Sequence, residues 1–320
     1  MVVLGIEAGL SRDHVVRAGR GCRFDLPGGP GLYASLGAAL ARRITSSPTE
    51  PSLRLLAGLP ATDTDVRDLL NLADVDLTHC PGVPELPRLW ILESAQGRRV
   101  LSTTAPDGRH ELAEGDAGQV GVSITPPQSC TDLDLLLRGA PGTPTPPVPP
   151  GCLVAVDPDQ RMLAAHGWAH LEDLAPTTHL LCPSRVQLAQ LGVDPVAQAR
   201  AIRERVGMAV VARLDVEGCL VVPSSGGAWR VWAEPVDVID TTGAGDAHAG
   251  ALLAALAPRE PGARPIAQLT AERLLRAAAV ATVAAARALS DWGPEGLLPS
   301  SEADALAAEQ VGAVRVKELS

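Results

Sequence analysis

The run Asp240-Thr241-Thr242-Gly243-Ala244-Gly245-Asp246 constrains this chain more than any other stretch, because it sets a glycine-rich turn against an alanine-rich helix with a carboxylate at the junction. Gly243 and Gly245 lack Cβ atoms, so the turn can adopt positive φ and aim successive N–H groups at one point. The partial positive charge of the following helix adds to them there. An anion belongs at such a point. Asp246 would repel a phosphate held there unless it works at the reacting end, accepting the proton of an attacking hydroxyl. Most isolated Gly-x-Gly turns are only tight turns with an aspartate cap, but seven consecutive residues of this kind make that reading poor. Asp240, Thr241 and Thr242 read as residues that shape the turn and touch phosphate or water.

Composition narrows the chemistry. Lys317 is the only lysine, and arginine supplies the other 26 of the 27 basic residues. A Walker A loop, a protein-kinase strand lysine and a Schiff-base lysine are therefore all absent. A phosphate at the Asp246 turn must be held by backbone N–H groups, helped by arginine. The formal net charge of −10 argues against nucleic acid or an anionic membrane as the main partner. Cys22, Cys80, Cys130, Cys152, Cys182 and Cys219 form no Cys-x-x-Cys pair and read as thiols of a reducing compartment. No apolar run reaches membrane-spanning length and no secretory segment opens the chain, so a cytoplasmic protein is expected.

Hydrophobic periodicity predicts alternating strands and helices. Residues 2–6 form a buried strand, residues 13–17 follow it, and residues 32–44 after the Gly28-Gly29 turn have helical spacing. Residues 53–59 suit a parallel strand covered on both faces, and Thr62-Asp63-Thr64-Asp65 has the form of a capping box before a helix. Residues 89–94 and 98–103 flank Gly97 as a hairpin. Further strands are expected at 120–125, 153–156, 208–212 and 220–222, with a helix around 133–137 and a stiff proline-rich connection over 141–150. The helix opened by Ala244 should stop near Ala257, ahead of Pro258. Two more helices follow at 266–289 and 302–310, the last capped by Ser301 with Asp304 completing a box. His166 and His170 have the spacing of one helix face and read as surface histidines. The fold class is α/β: a doubly wound, mostly parallel sheet flanked by helices, with ligands beyond the carboxyl ends of the strands.

The turn, continued by Ala247-His248-Ala249-Gly250, resembles the C-terminal signature of the ribokinase-like (PfkB) family of small-molecule kinases. Pro27-Gly28-Gly29-Pro30-Gly31-Leu32-Tyr33-Ala34-Ser35-Leu36 is similar to that family's N-terminal Gly-Gly motif at the head of its first long helix, and the order of elements extends the similarity over roughly the whole chain. The resemblance implies a single ribokinase-like domain over residues 1–320, with a small β lid built from segments near 13–27 and 88–104. It implies ATP as phosphoryl donor, Mg²⁺ as cofactor, and a small-molecule acceptor; a homodimer is compatible with it.

The same resemblance assigns roles residue by residue. Asp246 is the base, with Gly243, Ala244 and Gly245 around the phosphate. Asp13 becomes the substrate carboxylate with Glu7 as fallback, and Gly28 and Gly29 let the backbone approach substrate. Tyr33 stands where many sugar kinases have an asparagine, which puts a standard ribose or fructose substrate in doubt. Ser184 and Gln187 stand where the family carries the Asn-x-x-Glu element that organises magnesium and its water. The negative charge is gone, so weak Mg²⁺ binding is expected, with Asp157 as a substitute ligand and Gln187→Glu as a gain in affinity. Arg213, Asp215 and Gly218 replace a Thr-x-Gly-x-x-Gly nucleotide loop, of which only the last glycine is kept; Arg213 could contact phosphate and Asp215 a ribose, against the plainer reading of surface ion pairs. Thr242 joins the nucleotide contacts, and His248 replaces a phenylalanine as a packing or pocket variation. The implied activity is transfer of the ATP γ-phosphoryl group to an alcohol of a sugar, nucleoside or cyclitol. The alternative is a ligand-binding or regulatory protein on the same fold, its catalysis weakened by the altered 184–187 and 213–218 segments.

Overall fold

Two sheets, one large and one small, organise the chain in a computed structural model that describes residues 2–45, 50–102, 110–112, 132–139, 148–258 and 263–319. The large sheet has a parallel body made of β1 (Val3–Glu7), β4 (Ser52–Leu55), β5 (Val75–Asp76), β9 (Leu135–Gly139), β10 (Leu153–Asp157), β11 (Leu180–Leu181) and β12 (Ala209–Arg213). An antiparallel wing of β13 (Cys219–Val222), β14 (Trp229–Trp232) and β15 (Arg315–Glu318) extends it, in the order β15-β14-β13-β12-β11-β10-β9-β1-β4-β5. The small sheet runs β3-β2-β6-β7-β8, from β2 (Ser11–Arg17), β3 (Gly21–Gly28), β6 (Arg88–Ser94), β7 (Gly97–Ser102) and β8 (His110–Leu112).

Alternation along the central strands shows why helices must cover both faces. Leu135 and Leu137 of β9, Leu153 and Ala155 of β10, and Ala209 and Val211 of β12 enter one core. Leu136, Val154, Val156, Val210 and Ala212 enter the other. Successive side chains point to opposite sides of a strand, and here both sides are apolar, which is the pattern of a parallel sheet buried on two faces. The first core is filled by α1 (Pro30–Thr45), α2 (Thr64–Leu72), α7 (Ala244–Ala255), α8 (Ala271–Leu289) and α9 (Ser301–Ala313). The second is filled by α3 (Gln160–His166), α4 (Trp168–Leu174), α5 (Arg185–Ala189) and α6 (Pro195–Val206). Helices α1 and α7 meet through small residues: a Cβ on Gly37 would lie 2.3 Å from the Ala247 carbonyl oxygen, and one on Gly250 would lie 2.0 Å from that of Ala34. That close crossing brings the Gly-Gly motif and the Asp246 turn together.

Several local expectations are corrected. Residues around 133–137 form strand β9 instead of a helix, paired in parallel with β1 and β10; the leucine run favours a helix by propensity, but two buried faces overrule it. The strand expected over 53–59 ends at Leu55. At α2 the N-cap Asp63 makes no side-chain cap bond, because Arg12 lies 3.6 Å from the Asp63 carboxylate and 2.6 Å from that of Asp65. The segment from 266 is a 3₁₀ turn (Pro265–Gln268) followed by α8, whose cap is Thr270 accepting from Arg273 N–H. Helix α9 is capped by Ser300, one residue before the expected Ser301, and Asp304 instead pairs with Arg43 at 2.7 Å. His166 and His170 fall on separate helices because Gly167, at φ 52°, ends α3; His166 is exposed and His170 is buried. The predicted strand at 120–125 and most of the proline-rich stretch lie outside the described residues.

Candidate active site

Strand ends place the chemistry. The first crossover places the Gly-Gly motif beside β1, where Gly31 N–H donates to the Gly9 carbonyl at 2.8 Å. Gly29, at φ 90°, is a position only glycine can fill, since a Cβ there would meet the backbone of Leu10 and Ser11 at 2.7 Å. Asp13 lies on β2, buried at 2% exposure, and accepts a hydrogen bond from the Ser11 hydroxyl at 2.8 Å. The missing side chain of Gly28 leaves room for it: a Cβ would sit 2.1 Å from Asp13 Oδ2.

On the other side, Gly243 is the N-cap of α7 at φ 73°, and a Cβ on it would lie 2.0 Å from the ring of Tyr33. Tyr33 is thus packed under the Gly243 turn, with burial raising its phenol pKa well above the usual value. Asp240, fully buried, shapes the turn by accepting from Thr242 N–H at 2.9 Å and Gly293 N–H at 3.0 Å. The Thr241 hydroxyl donates to Glu93 of β6.

Ser11, Asp13, Gly29, Tyr33, Glu93, Thr241, Thr242 and Gly243 share one cleft of about 880 Å³ with Ala244, Gly245 and Asp246, with Ser184, Gln187, Arg213, Asp215 and Gly218, and with Asp157, while Asp240 lies behind the turn. Gly28 stands behind Asp13, outside the lining. Burial, reinforced by Asp157, raises the Asp246 carboxyl to about 6, against the opposing pull of Arg213 and Arg98. Burial likewise raises Asp13 to about 7, its hydrogen bond from Ser11 and the Arg98 charge opposing, and Asp240 and Asp246 adding to it. Two carboxyls facing one cleft thus titrate near neutrality, where a proton acceptor is most useful.

The segments expected to bind nucleotide and metal are built differently. Ser184 and Gln187 form a capping box at α5. The Gln187 amide also donates to Asp157 Oδ1 at 2.9 Å and to the Pro158 carbonyl at 2.6 Å. Arg213, at the end of β12, is no surface residue. It pairs with Asp157 Oδ2 at 2.7 Å and donates to the Gly245 carbonyl at 2.9 Å. Asp215 lies at the rim, paired with Arg185 at 3.0 Å. Gly218, at φ 84°, lets β14 approach, since a Cβ would meet the Val231 carbonyl oxygen at 2.2 Å. Glu7 faces away from the cleft and pairs with the buried Arg138 at 2.8 Å.

A protein-held Mg²⁺ does not fit these residues. Both Asp157 oxygens are taken, by Arg213 and Gln187, and among the described residues no group of three or more His, Cys, Asp or Glu could hold a metal ion.

Comparison with known proteins bears on this arrangement. Residues 157–293, which run from Asp157 through Arg213 and the Asp246 turn, match the pfkB family carbohydrate kinases. Among solved structures, the chain is similar to aminoimidazole riboside kinase from Salmonella enterica complexed with aminoimidazole riboside and an ATP analog (19% identity, TM-score 0.64, 96% of this chain and 100% of that one). It is similar to a fructokinase from Vibrio cholerae O395 in a fructose-, ADP- and potassium-bound form (17%, TM-score 0.66, 96% and 98%), and to the Methanocaldococcus jannaschii nucleoside kinase (14%, TM-score 0.64, 97% and 98%). The chain has the fold of these ribokinase-like structures, and the match to the pfkB family is confined to residues 157–293. No curated protein sequence matches it.

Within this ribokinase-like frame, the small sheet contributes cleft residues that motif reading passed over. Leu89, Ile91 and Glu93 of β6 and Arg98 and Val100 of β7 all line the cleft. Their spacing by two within a predicted hairpin is the signal that could have found them. The small sheet is fastened beside the turn by Arg17, which donates to the Val238 carbonyl at 2.7 Å, and by the Arg20–Asp237 ion pair. His248 also lines the cleft, 3% exposed. Neither of its ring nitrogens has a hydrogen-bond partner, and burial, then the Arg213 charge, lowers its pKa to about 3, which keeps the ring neutral.

Proposed function

We propose that the chain is a small-molecule kinase that transfers the γ-phosphoryl group of ATP to a hydroxyl of a sugar, nucleoside or cyclitol. The observation that carries the reading is Asp246, half-buried in the first turn of α7 behind a positive-φ glycine and sharing one cleft with Asp13. The backbone N–H groups of Gly243 to Asp246 would hold the transferring phosphate at the α7 N-terminus. The acceptor would lie against Asp13 and Gly29, beneath the small sheet acting as a lid. Asp246 would take the hydroxyl proton as the bond to phosphorus forms, and its pKa of about 6 leaves it ionised at neutral pH yet basic enough to accept that proton. Holding both reactants in line supplies the rest of the acceleration. Magnesium enters this reading only as an ion carried on the nucleotide phosphates, where it would offset their charge.

A second reading, a ligand-binding protein on a kinase fold, is favoured by one observation: Gln187 is spent on structural hydrogen bonds to Asp157 and Pro158. A screen for nucleotide consumption over sugars, nucleosides and inositols separates the two. Turnover with any acceptor supports the kinase, and none with all of them favours the binder.

A further inference from the structure

One arginine of the cleft lies directly against the Asp246 turn. Arg213 is clamped from two sides, by Asp157 and by the Gly245 carbonyl, and its Nε is buried with no hydrogen-bond partner. A Cβ placed on Gly245 would lie 3.1 Å from Arg213 Nη1, so the guanidinium rests against the backbone of the turn itself. These two contacts use one hydrogen of each terminal nitrogen, leaving further donors in a fork suited to phosphate oxygens. The Thr242 hydroxyl, 5% exposed and in the same cleft, is likewise unpartnered. Meanwhile Asp157, the carboxylate expected as a metal ligand, is paired with this arginine. A cation is therefore fixed where the protein offers no cage for one.

We propose that Arg213 is a built-in cation that does the electrostatic work of a protein-held divalent ion at the phosphate end of the cleft, so that nucleotide phosphates bind here without a metal. Asp157 and Gln187 are positioning residues in this arrangement: Asp157 holds the guanidinium against the turn, and Gln187 holds Asp157. The inference rests on the kinase reading of the cleft but is tested separately from catalysis.

The test is calorimetric titration of ADP into the full chain, once in excess EDTA and once in excess Mg²⁺. The wild-type protein should bind in both buffers, with dissociation constants within about fivefold of each other, less than one charge-assisted contact is worth. Arg213→Met should weaken binding in EDTA by about tenfold to a hundredfold, the loss of charge-assisted hydrogen bonds, and Arg213→Lys should recover part of it. Because Arg213→Met leaves Asp157 buried without its partner, the double substitution Asp157→Asn with Arg213→Met, checked by its melting curve, keeps the comparison on folded protein. If neither variant folds, the wild-type titration in EDTA decides. Wild-type binding that requires Mg²⁺, or a folded Arg213→Met variant that binds ADP in EDTA as the wild type does, would overturn the proposal and leave the kinase reading standing. Absence of ADP binding in both buffers would overturn that reading, and the proposal with it.

Discussion

Gln187→Glu restores, on sequence grounds, the acid of the Asn-x-x-Glu pattern that this chain lacks, yet the structure predicts damage instead of gain. Gln187 is 5% exposed, and its amide donates to Asp157 at 2.9 Å and to the Pro158 carbonyl at 2.6 Å. A carboxylate has no donor for either. The bond to Asp157 is charge-assisted and worth about 1.5–3 kcal/mol, and leaving the Pro158 carbonyl unsatisfied costs about 1–3 kcal/mol. The introduced acid also faces Asp157, although Arg213 still holds the other Asp157 oxygen at 2.7 Å and offsets part of that repulsion. The sum is about 2.5–6 kcal/mol, or roughly 5–12 °C in Tm at about 2 °C per kcal/mol for a large domain. The penalty should shrink as pH falls, because the introduced acid regains a donor when protonated. Thermal unfolding followed by circular dichroism at pH 8 and pH 5 reads both effects. A variant as stable as the wild type at pH 8 would refute the role given to Gln187.

Asp13→Asn should stabilise the protein at pH 8. A buried carboxyl raised to about 7 binds its proton more tightly folded than unfolded, so its unfavourable contribution grows as pH rises from the unfolded value through about 7. A higher Tm for the variant at pH 8 and a smaller difference at pH 5 are expected in differential scanning calorimetry, together with loss of turnover in the acceptor screen. Gly243→Ala should both strain the φ of 73° and drive a methyl group into the Tyr33 ring, abolishing nucleotide binding in the same ADP titration. Adding Tyr33→Ala should relieve the clash but not the strain, recovering stability more than binding; full recovery of binding would place the whole effect in the clash.

Much of this architecture was legible in the chain because its signals are local. The Gly243–Gly245 turn, the Gly28-Gly29 motif and the apolar runs of β10, β12 and β13 each carry their own physical reason, and the structure places Asp13, Tyr33 and Asp246 in the lining of one cleft. What was misjudged depends on partners distant in sequence. The leucines of β9 form a strand because β1 and β10 flank them, and Asp63 serves Arg12 in place of capping α2, while Asp65 pairs with Arg12 and also accepts the Val66 N–H. Arg213 reads as a surface residue until Asp157, 56 positions away, is seen to hold it. The alternating face of the small sheet, which brings Glu93 and Arg98 into the cleft, was legible in principle from the period of two.

The central claim, that Asp246 accepts the proton of the attacking hydroxyl, is tested most directly by Asp246→Asn measured in two assays on one preparation. With the best acceptor from the screen, turnover should fall by about a hundredfold to ten-thousandfold, the contribution of a general base. ADP affinity should stay within about threefold of the wild type, since the N–H groups of the turn are untouched. The acid limb of the wild-type kcat/KM profile, expected near the Asp246 pKa of about 6, should disappear from whatever activity remains. Turnover at the wild-type rate with the acid limb intact would contradict the account.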